Sequence, residues 1–577
     1  MNFSGSIDFS PKIVSALRHY SAARFKSDLI AGIVVGIVAL PLAIAFGIAS
    51  GVSPTVGLTT AIIGGFIVSA LGGNSVQIGG PTGAFIIIVY SIIRQYGLEG
   101  LGVATFMAGA MLVGMGLFHL GTVIKFIPYP IVVGFTAGIA LTIFSTQISD
   151  FLGLGLTDVP GAFISKWGVY FEHLGDISWP TFAVGVVSLA IIVLTPRISK
   201  RLPGALMAIV VVTAGVAFLH SIFPDFAVET IGDRFGDMET DLPTPHTFAW
   251  DMDVINNLMP WAFTIAVLAA IESLLSATVA DGVTGSHTNS NTELIGQGAA
   301  NMVVPFFGGI PVTGAIARTM TNISNGGRTP VAGVIHAAVL LLIFLFAMPL
   351  INHVPMACLA AVLIVVAYNM SGWRTLVAIF HTHRSDISVL LVTFFLTVIF
   401  DLTIAIEFGL LLAIILFLRR VTQNTQIKVY SDRLDVAEGT DLSQHEVLDV
   451  ARGVSVYEID GPFFFGVATK FDEVMRSTTG NLKPKVRIIR MRKVSFIDAT
   501  GLHNLEILIK SSQREGIHIV LSGVNEGVRH SLEQAGIDTL IGQDKVCDHI
   551  TKAVAMANRI VAELAECEEK HKKYERD

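Results

Sequence analysis

A short phrase built on glycine and proline occurs twice in this chain, each time inside apolar sequence. It reads Gly-Gly-Pro-Thr-Gly-Ala at 79–84 and Gly-Gly-Ile-Pro-Val-Thr-Gly-Ala at 308–315, and each copy leads into an apolar, helix-like run. The glycines permit non-helical backbone. Pro81 or Pro311 then opens a helix without needing a partner for an N–H. A helix that opens inside a bilayer leaves unpaired N–H groups and the positive end of its dipole there. That is tolerated only where the helix end lines a cavity, and an anion is its natural guest. Two such interrupted helices in corresponding halves mark an inverted-repeat carrier with its site near the bilayer midplane. Close helix packing, the other use of small residues in membranes, does not account for a pair of interrupted helices.

Composition agrees with a membrane location. Of 577 residues, 52% are hydrophobic and 14% charged, where soluble domains carry roughly 25% charged. Mean hydropathy is +0.67. The net charge of −7 hides an asymmetry along the chain. Residues 1–28 form a polar, basic N-terminal segment without the apolar core and small-residue site of a cleaved signal, so the first membrane helix is expected to act as the insertion signal. Residues 29–420 are overwhelmingly apolar, 421–450 read as a linker, 451–565 as a soluble α/β domain, and 566–577 as a polar tail. Cys358, Cys547 and Cys567 are too scattered for a disulfide framework or a metal site. No metal, cofactor or nucleic-acid partner is expected, and no catalytic constellation or phosphate-cradling loop appears.

Hydrophobic runs predict about fourteen membrane segments, where a full span needs roughly 20 apolar residues. Seven lie at 29–49, 54–71, 81–95, 100–118, 129–149, 179–196 and 203–222. Seven more lie at 256–281, 292–306, 314–324, 330–350, 354–370, 385–400 and 403–419. The two short ones, third and tenth, are those that follow the repeated phrase. An odd number of spans per half makes the halves opposite in orientation, so a seven-plus-seven inverted repeat is the expected fold. Arg18, Arg24 and Lys26, then Arg197, Lys200 and Arg201, then Arg374, His381, His383 and Arg384, then Arg419 and Arg420, all fall on one side under this topology. The positive-inside rule makes that side cytoplasmic, with both termini there. The loop 223–253 is acidic, with Asp225, Glu229, Asp233, Asp237, Glu239, Asp241, Asp251 and Asp253 against Arg234, and is expected to face outward.

After Arg419–Arg420 the pattern changes. Alternating runs from Val454, Val486 and Ile517 read as strands. Helix-like stretches occupy about 466–477, 500–515, 525–535 and 543–564. Strands alternating with helices predict a small, largely parallel α/β domain.

The motifs Ala39-Leu-Pro-Leu-Ala-Ile-Ala-Phe46, Gly79-Gly-Pro-Thr-Gly-Ala84, Ile271-Glu-Ser-Leu-Leu-Ser276 and Pro311-Val-Thr-Gly-Ala-Ile-Ala-Arg318, in this order, resemble the SulP anion-transporter family. These are the sulfate permeases whose animal relatives include prestin and pendrin. Asp498-Ala-Thr-Gly-Leu502 resembles the strand-to-helix turn of a STAS domain. The resemblance covers nearly the whole chain. It implies an all-α polytopic membrane domain of two inverted seven-helix repeats, split into core and gate domains, with substrate held between the facing N-termini of helices three and ten. It further implies elevator-type movement and a homodimer. The STAS tail is expected to regulate transport, assemble the dimer or dock a cytosolic protein.

The candidate anion site is made of Thr82, Gly83 and Ala84 from one interrupted helix and Gly314, Ala315, Ile316 and Ala317 from the other. Their backbone N–H groups face the anion, their small side chains allow close approach, and Thr82 adds a hydroxyl. Arg318 sits one turn into helix ten. By resemblance it places positive charge near the anion, and it is also placed to neutralise Glu272. Phe46 is a candidate pocket wall or simple packing. Glu272 is an intramembrane carboxylate, functional by default, with Ser276 one turn later on the same face. Relatives bind a coupling cation here. Those that look sodium-coupled have aspartate and threonine, so glutamate and serine favour a proton. Thr500 occupies the place of a phosphorylated serine in bacterial STAS antagonists, though Asp498 and Thr500 are also natural helix caps. Asp281, His287, His336 and Asp401 fall near predicted helix ends and read as topology features.

The expectation is a secondary active transporter in a bacterial inner membrane, carrying a small anion with a proton. A C4-dicarboxylate is slightly preferred, with sulfate and bicarbonate close behind. The competing classes are a sodium-coupled symporter, an exchanger or channel, and an anion sensor that signals through the STAS domain.

Overall fold

The computed structural model describes residues 9–18, 20–122, 128–156, 159–198, 203–223, 226–236, 244–248, 252–400, 402–430, 433–437, 445–477 and 484–574. Lys200, Arg201, Asp225, Asp237, Glu239, Asp241, Asp251 and Asp401 lie outside the described residues. The chain divides into two compact units, Met1–Ala413 and Ile414–Asp577.

The first unit is helical. A short α1 (Lys12–Arg18) precedes α2 (Ala22–Ala49), α3 (Pro54–Leu71) and the two-residue strand β1 (Gly79–Gly80). A tight turn, Gly83–Phe85, opens α4 (Ile86–Leu117), which bends at Gly97 where φ is 69°. That bend lies between the third and fourth predicted segments. Then come α5 (Tyr129–Leu152), α6 (Phe163–Glu172), α7 (Trp179–Ile198), α8 (Gly204–Ile222) and α9 (Ile231–Phe235). The second half holds α10 (Met252–Thr284), α11 (Ser290–Val303), strand β2 (Thr313–Gly314), α12 (Ile316–Ser324), α13 (Val331–Ile351), α14 (Met356–Met370), α15 (Trp373–Ile379) and α16 (Arg384–Ile399). Helix α17 (Leu402–Asn424) starts in the first unit and ends in the second. Among the described residues nine helices are long and apolar enough to cross a membrane. All fourteen predicted segments fall on helices. The short helices α6, α9 and α15 lay below the resolution of a hydropathy scan.

Packing sorts these helices into two bundles. Helices α2, α3, α4, α10, α11, α12 and α13 pack on one another, and α5, α7, α8, α14 and α16 form a second group. The seam between them is apolar: Phe46, Ala84 and Phe85 of the first bundle share one buried cluster with Ile139, Ile143, Leu363 and Ala367 of the second.

The second unit is built on a five-stranded sheet. Strands β3 (Gln426–Tyr430), β4 (Arg433–Ala437), β5 (His445–Asp449), β6 (Val454–Asp460), β7 (Val486–Lys493), β8 (His518–Ser522) and β9 (Val546–Cys547) alternate in part with α18 (Phe465–Ser477), α19 (Ala499–Arg514), α20 (Glu526–Gln534), α21 (Ile537–Ile541) and α22 (Ile550–Tyr574). The sheet order is β3-β6-β7-β8-β9, and β4–β5 is a separate hairpin. Only β3 runs antiparallel to its neighbour. The period of two along each strand explains the layers. Tyr457, Ile459, Ile489, Met491 and Leu521 face α18 to α21, while Val454, Val456, Val486, Ile488 and Val520 face α22. The described residues of the stretch read as a linker, 421–450, are structured instead: they hold the end of α17, the edge strand β3 and the strands β4 and β5. Its strands are too polar to stand out by periodicity. The tail read from 566 continues α22 to Tyr574.

Asp498 joins two helix starts. Its Oδ1 accepts from the Gly501 N–H at 2.7 Å in α19, and its Oδ2 from the Phe465 N–H at 3.1 Å at the start of α18. One carboxylate thus caps both helices. Thr500 lies exposed in the first turn of α19. Asp498→Ala is expected to destabilise this unit by about 1–2 kcal/mol. Hydrogen exchange on the full chain would show it as faster exchange at the Gly501 and Phe465 amides. Unchanged exchange at both would contradict the double cap.

Candidate functional site

The two copies of the glycine phrase meet. Strands β1 and β2 pair antiparallel, with Gly79 opposite Gly314 and Gly80 opposite Thr313. Two residues per strand do not make a stable sheet, so side chains hold the pairing in place. Asn301 of α11 donates to the Val312 carbonyl and accepts from the Val312 N–H, both at 2.8 Å. The Thr313 hydroxyl donates to the Ala269 carbonyl of α10 at 2.9 Å, and Thr319 Oγ1 accepts from the Ile78 N–H at 3.1 Å. Gln77 Nε2 donates to the Ser273 carbonyl at 3.3 Å and its hydroxyl at 3.2 Å.

Arg318, 1% exposed, reaches from α12 back to the other strand. Nη1 donates to the Gly79 carbonyl at 3.4 Å and Nη2 to the Pro81 carbonyl. Its guanidinium therefore braces one interrupted helix against the other. Gly80 makes room for it: φ is 149° there, and a Cβ would fall 2.2 Å from Nη1. Gly314 is tightly packed too, since a Cβ would fall 1.6 Å from Gln77 Nε2.

From this pairing the chain leaves in two directions, into the turn that opens α4 and into α12. The two starts open on one cavity of about 370 Å³. Thr82, Gly83, Gly314, Ala315, Ile316, Ala317, Arg318, Glu272 and Phe46 all line it. Of the sequence-derived site residues, Ala84 and Ser276 do not. Ala84 is fully buried in the apolar seam. Ser276 turns its hydroxyl to Thr319 Oγ1 at 3.4 Å. Ala315 lines the cavity, but its N–H is spent on the Ile78 carbonyl at 2.9 Å. The unpaired N–H groups expected at a helix start therefore come from Ile316 onward in this half. The opposite wall belongs to the second bundle, with Tyr129, Val132, Val133 and Thr136 of α5 and Val366, Asn369 and Met370 of α14. Sequence reading of the repeated phrase could not reach these residues, which are placed only by tertiary packing.

Glu272 of α10 lines the cavity on the first-bundle side, half-buried, and its Oε2 accepts from the Thr82 hydroxyl at 2.8 Å. The carboxyl group thus touches the first residue of the anion site directly, while Arg318 gives its donors to carbonyls.

A second intramembrane carboxylate escaped the sequence reading. Glu293 of α11 is fully buried. Its Oε2 accepts from the Gly73 and Asn74 N–H groups at 2.8 and 3.0 Å, and its Oε1 from Gln297 at 2.9 Å and Ser273 at 3.4 Å. It fixes the lead-in to β1. The signal that could have found it is the one that found Glu272, a carboxylate inside an apolar segment. His336, read as a helix-end feature, is fully buried in the first bundle, with its ring against Gly65 of α3. Asp281 accepts from Ser286 and the Thr288 N–H, which closes the turn between α10 and α11.

Membrane-crossing helices, with two cut short so that their N-termini open on one cavity, define a multi-pass carrier for anions. The comparisons with known proteins place it more narrowly. Residues 25–393 match the model of the sulfate permease family, and residues 447–553 match the STAS domain. The chain is similar to a putative sulfate transporter, YvdB, of Bacillus subtilis (strain 168), with 42% identity over 92% of this chain and 97% of the relative. It is 28% identical to the bicarbonate transporter BicA of Synechocystis sp., over 87% of this chain and 88% of that one. Among solved structures, the transmembrane domain of a cyanobacterial BicA aligns with a TM-score of 0.58 at 27% identity, over 68% of this chain and 98% of that one. Murine Slc26a9 shares the fold, with a TM-score of 0.84 at 18% identity over 97% of this chain and 96% of that one. The chain belongs to the sulfate permease family. It is a membrane anion transporter with a C-terminal STAS domain, and not an enzyme.

Gly314→Ala is expected to abolish anion uptake, because the new Cβ collides with Gln77. The double variant Gln77→Ala, Gly314→Ala relieves the collision and is expected to recover part of the uptake. A Gly314→Ala protein as active as wild type would contradict the close packing at β2.

Proposed function

We propose that this protein carries an oxyanion, sulfate first, together with a proton, by moving one helix bundle against the other. The observation that carries the reading is the 2.8 Å hydrogen bond between Thr82 and Glu272 on the wall of the anion cavity. Each helix N-terminus contributes about half a positive charge. With Arg318, the site then holds roughly two positive charges when Glu272 is protonated and one when it is ionised. A doubly charged oxyanion matches the protonated form. Two unit charges 4 Å apart repel by ~4 kcal/mol at an effective dielectric of 20, about three decades in affinity. Anion and proton therefore favour each other's binding, and linkage makes the effect reciprocal. Ser276 is engaged with Thr319 away from the cavity, so a cation cage of Glu272 and Ser276 has less support than a proton on Glu272.

Sulfate stands ahead of a dicarboxylate because the 42% identical relative is named as a putative sulfate transporter, and a further relative is named for bicarbonate. Movement of whole bundles is supported by the seam, which is apolar and so has few hydrogen bonds to break. The first bundle carries both helix starts and Glu272, so its displacement would carry the site. The two bundles each draw helices from both halves of the chain, as inverted seven-helix repeats would arrange them. The basic loops favour cytoplasmic termini, the Bacillus subtilis relative favours a bacterial cell membrane, and the family resemblance favours a homodimer.

Uptake of labelled sulfate, bicarbonate and succinate into proteoliposomes, with and without an inward proton gradient, tests this. Wild type is expected to accumulate sulfate only with the gradient. Glu272→Gln is expected to lose accumulation and keep sulfate counterflow. Equal uptake without a gradient would replace symport by a channel or exchanger, and accumulation only with sodium would move the coupling to that ion.

A further inference from the structure

Helix α6 interrupts the connection between two membrane helices, and its surface is divided into three sectors. With 3.6 residues per turn, Phe163, Lys166 and Tyr170 share one side. Lys166 is 6% exposed and Tyr170 2%. This side rests on α5 and α16, both members of the second bundle. A second sector holds Ile164, Gly168 and Phe171 within about 60° of arc. Ile164 is 69% exposed and Phe171 65%. The third sector, about 80–100° further round, carries the exposed polar residues Ser165 and Glu172.

The level of α6 is fixed by Trp167. Its indole N–H donates to Ser145 Oγ of α5 at 3.0 Å. Ser145 lies seven residues before the end of α5 at Leu152, or about 10 Å along the helix axis. Helix α6 therefore folds back alongside a membrane-crossing helix instead of standing clear of it. Trp179, 72% exposed, begins α7 at the same end of the bundle. The exposed apolar sector thus lies beside the apolar, membrane-length helix α5 on which α6 rests. A helix with one protein side, one apolar side and one polar side fits a single place, the boundary between acyl chains and headgroups.

We infer that α6 is an interfacial helix that inserts Ile164 and Phe171 into the lipid at the leaflet where α5 ends, anchoring the second bundle there. The partner is the bilayer surface, recognised by apolar area and aromatic rings rather than by a specific headgroup. Held at this level, the second bundle would resist vertical displacement.

The test uses the full-length protein with exposed Cys567 replaced by serine, reconstituted in bilayers. Ile164→Cys, Phe171→Cys, Ser165→Cys and Glu172→Cys each carry a nitroxide. Collision with oxygen, which partitions into lipid, is compared with collision with a water-soluble nickel chelate. The expected result is oxygen-dominated relaxation at 164 and 171 and nickel-dominated relaxation at 165 and 172. Two positions per sector keep the test open if one variant fails to insert. Nickel access at 164 and 171 would place α6 in water. Shielding of both from both reagents would mean that protein, such as a second copy of the chain, covers the sector. Either result overturns the inference, and neither depends on which ion or anion is transported.

Discussion

Everything in the membrane unit depends on a four-residue contact, the pairing of Gly79–Gly80 with Thr313–Gly314. Backbone hydrogen bonds broken inside a bilayer are costly, because no water replaces them. The two interrupted helices each break a run of such bonds. They satisfy one another across the pairing, and buried side chains satisfy the remainder. Asn301, Thr313, Thr319 and Gln77 each bond backbone near the pairing. Arg318 then ties the carbonyls of one half to the helix of the other. Each such bond is worth about 1 kcal/mol net, but leaving its partner unpaired costs more. The set therefore acts as a unit, and the helix starts it positions can present their N–H groups to a ligand.

The two intramembrane carboxylates of this bundle divide the work. Glu293 receives four donors and does not line the cavity, which suits a carboxyl group that holds backbone in place. Glu272 receives a hydrogen bond from Thr82 and lines the cavity beside the helix starts. It is the carboxyl group whose charge an incoming anion would meet. The proposed coupling needs no relay between distant sites, because the ionised Glu272 carboxylate and the anion would repel each other across one cavity, and one protonation removes that repulsion.

The part of this arrangement written locally was legible in the sequence. The glycine phrase, its repetition and the short helices after it located the anion site, and the isolated carboxylate at 272 located its acidic neighbour. The segments themselves were legible because length and apolarity alone define a membrane helix. What the sequence did not disclose was pairwise. Nothing local says that the Ala315 N–H would be consumed by Ile78, that Ser276 would turn to Thr319, or that Arg318 would give its donors to the Gly79 and Pro81 carbonyls. The wall supplied by α5 and α14 comes from packing between distant helices and has no motif. In the second unit, the parallel strands stood out as apolar runs, whereas β3 and the hairpin were hidden by their polarity.

The central claim is that anion and proton occupy the site together, with the proton on Glu272. Its most direct test is calorimetric titration of sulfate into the purified full-length protein, in buffers of different ionisation enthalpy at one pH where Glu272 is ionised in the free protein. Uptake of about one proton per sulfate bound is expected, from the reciprocity of linked binding. Glu272→Gln is expected to bind sulfate with no proton uptake. Sulfate binding to wild type without proton uptake, across the pH range in which the protein transports, would contradict it.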